Sequence, residues 1–204
     1  MSGEANTMKR PERTMITRQK LFEASMQLIG ERGPAEVTVD EIAAAAGVSK
    51  GTVYYNFGSK SELIAQLLEY GVQLLEERLA PDESLPSLQA LESVLGKTLD
   101  FFSEYPSFTQ LLVSEMWRTP SQWRDTLSLL RERLFSLAGL TLARVTAEHE
   151  VRDDVDPEII VGMTLGAALV IGLDRQVFHP NRHREDGVRA LMTVMHGYLK
   201  APSA

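Results

Sequence analysis

Residues 48–63 read VSKGTVYYNFGSKSEL. The chain carries a net charge of −7, yet no carboxylate occurs between Glu41 and Glu62. Ser49 has the side chain to cap a helix by accepting a backbone N–H of the first turn. Gly58 supplies the left-handed residue that closes that helix, and Ser59-x-x-Glu62 is a capping box that opens the next. On the short helix between them, Val53 and Phe57 are four residues apart and share one face, which should point inward. Lys50 and Tyr54 fall on a second face. Gly51 and Tyr55 fall on a third, beside Thr52 and Asn56. The outward faces therefore hold donors of several shapes and no negative charge, which suits a polyanion. The free N–H groups of the helix start can meet a phosphate, and Gly51 lets the backbone approach closely. Lys50 can reach a base edge or a phosphate. The tyrosine hydroxyls can donate to phosphate oxygens, and Lys60 lies just past the helix to grip the same backbone. A tyrosine taken alone also fits half-buried packing; the combination is more specific.

Immediately upstream, Thr38-x-x-Glu41 is another capping box, leading into Ile42 and four alanines before Gly47. Two short helices separated by Ala46-Gly47-Val48 make a helix-turn-helix. Further back, Leu21, Phe22, Ser25, Leu28 and Ile29 mark one face of a helix over 14–32, which Gly33-Pro34 stops. Residues 1–13 read as a flexible basic arm. Its Lys9, Arg10 and Arg13, with Arg18, offer phosphate or minor-groove contacts or form a solvated tail.

Downstream the pattern stays helical. The capping box at Ser59 opens an amphipathic helix to about Leu79. Further helices are expected over 85–104, 106–118, 121–150, 158–178 and 185–199, with Asp156 and Pro157 at a helix start. No alternating strand pattern, repeat or low-complexity tract occurs, so the fold class is all-α. At 204 residues, 44% hydrophobic and 24% charged, the chain has the composition of a globular protein with a sizeable core. Residues 1–60 are slightly basic, with eight Lys/Arg against seven Asp/Glu, and the remainder is acidic. The absence of cysteine fits a reducing cytoplasm. Residues 1–20 contain no apolar signal-like stretch. The apolar run 159–173 is shorter than the ~20 residues that cross a bilayer, so a buried helix and no membrane partner are expected.

The segments TRQKLFEASMQLIGERG, VTVDEIAAAAGVSKGTVYYNF and SKSELI resemble the N-terminal domain of the TetR family of transcriptional regulators over residues 14–70. The resemblance implies a homodimer of all-α subunits, with a DNA-binding domain at 14–58 and a ligand-binding and dimerisation body at 59–204. It implies DNA contacts at Thr38, Ser49, Lys50, Gly51, Thr52, Tyr54, Tyr55 and Lys60. Asn56, also a candidate contact, stands where the family often has histidine.

In the body, Phe101, Phe102, Phe108, Leu112, Met116, Trp117, Trp123 and Phe135, with Met163, are candidates for an apolar effector pocket. Residue by residue, the same side chains also serve as core. Arg118, Arg124 and Glu115 are candidates to orient a polar end or are solvated charges. Gly162, Gly166 and Val170 on one helix, with Val188, Leu191, Met192 and Met195 on the next, are candidates for an intermolecular four-helix bundle. An intramolecular hairpin core is the alternative.

His149, His179, His183 and His196 have no tight ligand spacing, so no metal site is expected; no cofactor is expected beyond a small-molecule effector. The acidic segment 148–156 lacks the pattern of a calcium loop. No nucleophile elbow, phosphate loop or paired-acid arrangement points to an enzyme. The favoured reading is a ligand-responsive repressor released from a palindromic double-stranded operator by a small, rather apolar effector. A ligand-binding protein that keeps its head as a relic is the competing one, and the intact Lys50, Tyr54, Tyr55 and Lys60 speak against it.

Overall fold

The computed structural model describes residues 10–116 and 124–200, and their side chains apart from those of residues 10–16, 18, 115 and 116. Among these residues the secondary structure is helical, apart from one isolated antiparallel bridge between Val151 and Leu199. The helices are α1 (Arg10–Glu36), α2 (Val39–Ala45), α3 (Lys50–Phe57), α4 (Lys60–Leu79), α5 (Ser87–Glu104), α6 (Pro106–Met116), α7 (Arg124–Glu148), α8 (Pro157–Val177) and α9 (Arg184–Tyr198). The chain forms two compact units, Met1–Leu67 and Leu68–Ala204, with the division inside α4.

In the first unit, α1 begins at Arg10, four residues before the pattern predicts, and Gly33 interrupts it with φ 79° and ψ 158°. That left-handed φ is open to glycine at no steric cost, and it marks the expected stop. The helix α2 starts with the predicted reciprocal box. The Glu41 N–H donates to Thr38 Oγ1, and the Thr38 N–H and hydroxyl both donate to Glu41 Oε2. Buried Leu21, Phe22, Met26 and Ile29 of α1 share the core with Ile42 of α2 and Val53 and Phe57 of α3. Leu28, an expected core residue, is only half-buried.

In the second unit, α5 packs against α6, α7, α8 and α9, and α8 packs in turn against α6, α7 and α9. The predicted cap of α8 is present: the Glu158 N–H donates to Asp156 Oδ1 at 2.8 Å. Two expectations for α8 change. It runs 21 residues, so by length and composition it is long and apolar enough to cross a bilayer, and only 28% of its most apolar stretch is buried. The apolar run continues into Asp174, Arg175 and Gln176 without breaking the helix. Ile160, Val161, Ala168, Leu169 and Gly172 face inward, whereas Ile159, Met163, Val170 and Val177 are exposed. α8 is therefore one-sided, not buried all round. The segment 198–200 is tied to the 149–156 loop by hydrogen bonds from the Arg152 N–H to the Tyr198 carbonyl and from the Lys200 N–H to the Glu150 carbonyl.

Candidate functional site

The short helix α3 is built as its sequence dictates. Ser49 Oγ accepts the Thr52 N–H at 3.1 Å and pairs with the Thr52 hydroxyl at 2.8 Å. Gly58 closes it with φ 72°, its N–H bonded to the Tyr54 carbonyl. Val53 and Phe57 are buried, which fixes the rotation of the helix and turns the remaining faces outward. Tyr55 is 83% exposed and Tyr54 44%. Ser49, Lys50 and Gly51 are exposed and Thr52 half-exposed. A Cβ built on Gly51 meets only Ser49 Oγ, at 3.7 Å. Nothing inside the protein requires glycine there.

The structure adds partners that the sequence spacing hides. Lys50 Nζ lies 2.7 Å from Asp40 Oδ2 of α2 and 5.9 Å from the centre of the Tyr54 ring. The surface around α3 thus includes one carboxylate, and Asp40 raises the lysine pKa through that hydrogen bond. Both groups are largely exposed, so the pair is screened by water and weakly held. Lys60 Nζ donates to the Ala35 carbonyl at 3.1 Å. Asn56 Nδ2 donates to the Thr52 carbonyl of its own helix at 2.7 Å, a bond that draws the amide back onto α3. Thr38 is exposed, but its hydroxyl is engaged by Glu41. Arg32 pairs with the same carboxylate at 2.8 Å. That bond, then the two from Thr38, hold the Glu41 pKa down to about 2. The arm side chains Lys9, Arg10, Arg13 and Arg18 lie outside the described residues.

In the second unit four of the expected pocket residues are packed core. Phe101, Phe102, Phe108 and Leu112 are buried. The Phe101 ring meets Phe102 and Phe108 edge-on at 6.0 and 5.9 Å. A Cβ on Gly71 would lie 2.2 Å from the Phe108 ring, and one on Gly172 would lie 2.7 Å from Phe102. Phe108 and Phe102 thus fill the space opposite these two glycines. Trp117, Trp123 and Arg118 lie outside the described residues, as do the side chains of Met116 and Glu115.

Among the described residues, an internal cavity lies elsewhere. It has a volume of about 60 Å³ and aliphatic walls: Leu75 and Leu79 of α4, residues of α5, Leu134 and Leu142 of α7, Val161 and Leu165 of α8, and Met195 of α9. Its polar members, Thr98, Thr141 and Thr164, are spent locally. Thr98 donates to the Val94 carbonyl, Thr141 to the Leu137 carbonyl and Thr164 to the Met195 sulfur. Of the predicted pocket residues whose side chains are described, Phe101, Phe102, Phe108, Leu112, Phe135 and Met163, none lines it. Phe135 instead lines an outer groove between α7 and α8, where the Arg131 guanidinium stacks 4.0 Å from its centre. Met163 is exposed. Branched aliphatics at helical spacing read as ordinary core; the helical threonines Thr98, Thr141 and Thr164, held apart among them, were the available signal.

The predicted dimer residues divide. Gly162, Gly166 and Val170 lie on the less buried side of α8, although a Cβ at Gly162 would press on Phe135 at 3.2 Å. Val188, Leu191, Met192 and Met195 are buried within the subunit. They are core residues, because α9 packs this side against α5 and α8. The exposed side of α9 carries Arg189, Ala190, Thr193, Val194 and Gly197. Among the histidines, His179 Nδ1 lies 3.0 Å from Asp174 Oδ2, which also pairs with Arg182. Among the described residues no three metal-ligating side chains gather.

A capped helix-turn-helix that turns glycine, lysine and paired tyrosines outward, together with an all-helical body, defines a helix-turn-helix transcriptional regulator. Comparison with known proteins gives the same class. The model of bacterial regulatory proteins of the tetR family matches residues 21–67. TtgW of Pseudomonas putida, an uncharacterized HTH-type transcriptional regulator, is 30% identical over 99 residues, covering 48% of this chain and 72% of that protein. The HTH-type transcriptional regulator SrpR, also of Pseudomonas putida, is 24% identical over 159 residues, 77% of this chain and 73% of the relative. The chain belongs to the tetR family. The fold agrees. A solved structure of a TetR-family regulator from Rhodococcus sp. matches with TM-score 0.74 at 18% identity, over 91% of this chain and 100% of that one. The transcriptional regulator FadR from Bacillus subtilis, solved in complex with stearoyl-CoA, matches with TM-score 0.73 at 18% identity, over 87% and 95%.

Proposed function

We propose that this transcriptional regulator is a cytoplasmic repressor that binds a palindromic DNA operator as a homodimer and is released from it by a small, rather apolar effector. The observation that carries the reading is the outward face of α3. Lys50, Gly51, Tyr54 and Tyr55 are all exposed, and nothing in the protein needs the missing side chain at Gly51. The first N–H groups of α3 and a bare Gly51 admit a phosphate, Lys50 exchanges Asp40 for DNA, and Tyr54 and Tyr55 donate from either side. Two such helices enter successive major grooves about 34–36 Å apart.

The exposed apolar face of α8, Met163–Gly166–Val170, supports pairing with a second copy and not with lipid. Asp174 and Arg175 within α8 argue the same way, since charges in a bilayer core are expensive. The aliphatic cavity supports an apolar effector, and a structural relative solved with stearoyl-CoA is compatible with that chemistry. Leu75 and Leu79 place α4 in the cavity wall. The same helix begins at Lys60 beside the recognition helix, so it is the element through which effector and operator compete. The effector changes operator affinity only by its differential affinity for the two states, typically ~1–3 kcal/mol.

The test is selection of bound duplexes from random DNA, followed by gel-shift titration of the chosen operator. Lys50→Ala with Tyr54→Ala abolishes binding while the protein keeps its helical content and its oligomeric state. Undiminished binding by that double variant would refute the assignment of the site.

A further inference from the structure

The internal cavity and the outer α7–α8 groove share two side chains, Leu142 and Val161. From this shared wall we infer that the effector site is a single elongated site whose outer half is that groove. In it, an uncharged chain-like molecule lies across the Leu142–Val161 partition, with its apolar end inside and its polar end at the rim. This inference rests on the effector-responsive reading given above.

Size is the first argument. The inner cavity holds about 60 Å³, less than the ~150 Å³ void that accepts benzene. An effector of ordinary size therefore needs space that the inner cavity lacks. The groove beyond the partition offers about 500 Å³. Its floor continues the cavity's chemistry, with Phe135, Leu142, Ala143 and Val161.

Charge is the second argument. Among the described residues, the cavity wall contains no ionisable side chain. The groove carries Arg131, Glu132 and Glu158 at once, and Arg131 lies over the Phe135 ring. One cation and two carboxylates give a formal anion no excess of positive charge. The apolar interior gives any charge no counter-ion, and burying an unpaired charge is costly. A hydroxyl or amide end at the rim, with Ser136 and the two carboxylates as partners, meets neither objection.

Gly139 makes the inference testable. It lines the groove, and a Cβ placed on it meets nothing within 4 Å. A large side chain there plugs the groove without touching the cavity. The probes are n-alkanols from hexanol to decanol, measured by displacement of N-phenyl-1-naphthylamine from the full chain. In the wild type, affinity tightens about fourfold per added methylene through decanol, the equivalent of ~0.8 kcal/mol per buried CH₂. In Gly139→Trp the gain stops short of decanol. Hexanol then binds as in wild type, and decanol binds more than tenfold weaker than in wild type. Gly139→Leu, a smaller plug, shows the same break at a longer chain, and it stands in if tryptophan disturbs α7. Identical chain-length dependence in all three proteins overturns the inference, as does a wild type whose affinity stops rising at hexanol. Operator binding is titrated on the same samples. If the wild type ignores DNA, the regulator reading fails, and the groove is still judged on the alkanol series alone.

Discussion

Replacing Gly51 by alanine separates folding from recognition. Gly51 lies in the first turn of α3 with an ordinary helical φ, and the new methyl group's nearest neighbour is Ser49 Oγ at 3.7 Å. The fold therefore gains from the change. A helical glycine is worse than alanine by roughly 0.5–1 kcal/mol, chiefly through chain entropy. A position in the first turn belongs at the low end of that range. Recognition should lose. If a phosphate approaches the bare backbone at Gly51, the methyl group holds it away from the N–H groups of the helix start. A hydrogen bond to a charged group contributes about 1.5–3 kcal/mol, so operator affinity should fall by roughly ten- to a hundredfold. The assay pairs thermal melting with fluorescence-anisotropy titration of the selected operator at fixed salt. Salt must be fixed because phosphate-dominated affinities are uninterpretable without it. Full operator affinity in Gly51→Ala, with melting unchanged or raised, would show that no DNA backbone comes close there. Lowered melting would show instead that the surroundings of Gly51 are not open.

Three further outcomes follow from the geometry. Val170→Glu, on the exposed face of α8, should leave the subunit folded and convert the proposed dimer to monomer in sedimentation velocity; a dimer of undiminished strength would move the interface elsewhere. Gly71→Ala drives a methyl group into the Phe108 ring, 2.2 Å from its nearest atom, and should cost about 1–3 kcal/mol, seen as a lower melting temperature; a neutral effect would contradict the close packing of α4 there. Glu41 is held down to about 2 by Arg32 and Thr38, so its ionised form stabilises the folded head. That contribution is complete above its ordinary value of 4.5 and is lost as pH falls from there towards 2. NMR titration of Glu41 should give a midpoint far below 4.5 that rises in Arg32→Ala, and an unshifted midpoint in the wild type would remove the bond from the account.

The head was legible in the sequence because its signals are local. Capping at Thr38 and Ser49 involves residues three apart, and Gly33, Gly47 and Gly58 adopt the positive φ that glycine tolerates. Lys50 and Asp40 are ten residues apart and meet only when α2 and α3 pack, so the charge-free stretch looked freer of acid than the folded surface is. In the body, periodicity marked each apolar stripe without saying what covers it. Val188, Leu191, Met192 and Met195 form a proper stripe on α9, and α5 and α8 of the same subunit already cover it. Aromatic rings suggest a pocket, but rings such as Phe102 and Phe108 fill space best where glycines let helices close in, at Gly172 and Gly71. A void is a property of how helices splay, and no local pattern encodes it.

On the proposed effector reading, the position of that void constrains the response. The wall that α4 contributes, Leu75 and Leu79, is interleaved with two charged clamps. Glu76 takes a two-pronged bond from Arg133 of α7, whose Nε lies 2.9 Å away. Arg78 pairs with Glu104 of α5 and sits 5.7 Å from the centre of the Phe101 ring. The Arg133–Glu76 pair is partly shielded from water, so it resists displacement more than the exposed Lys50–Asp40 pair does; Arg78–Glu104 is the more exposed of the two clamps. A guest that enlarges a cavity of about 60 Å³ must push some wall outward. On the α7–α8 side Leu142 and Val161 also border an outer groove, whereas the α4 side carries the two ion pairs. Short guests should therefore spread the α7–α8 side and leave α4 in place, binding without releasing DNA. Only molecules large enough to strain the Glu76–Arg133 and Arg78–Glu104 clamps should act as effectors. Arg133→Met, which loosens one clamp, should lower the chain length at which an n-alkanol first weakens operator binding. The same threshold in both proteins would show that α4 is not the wall that yields.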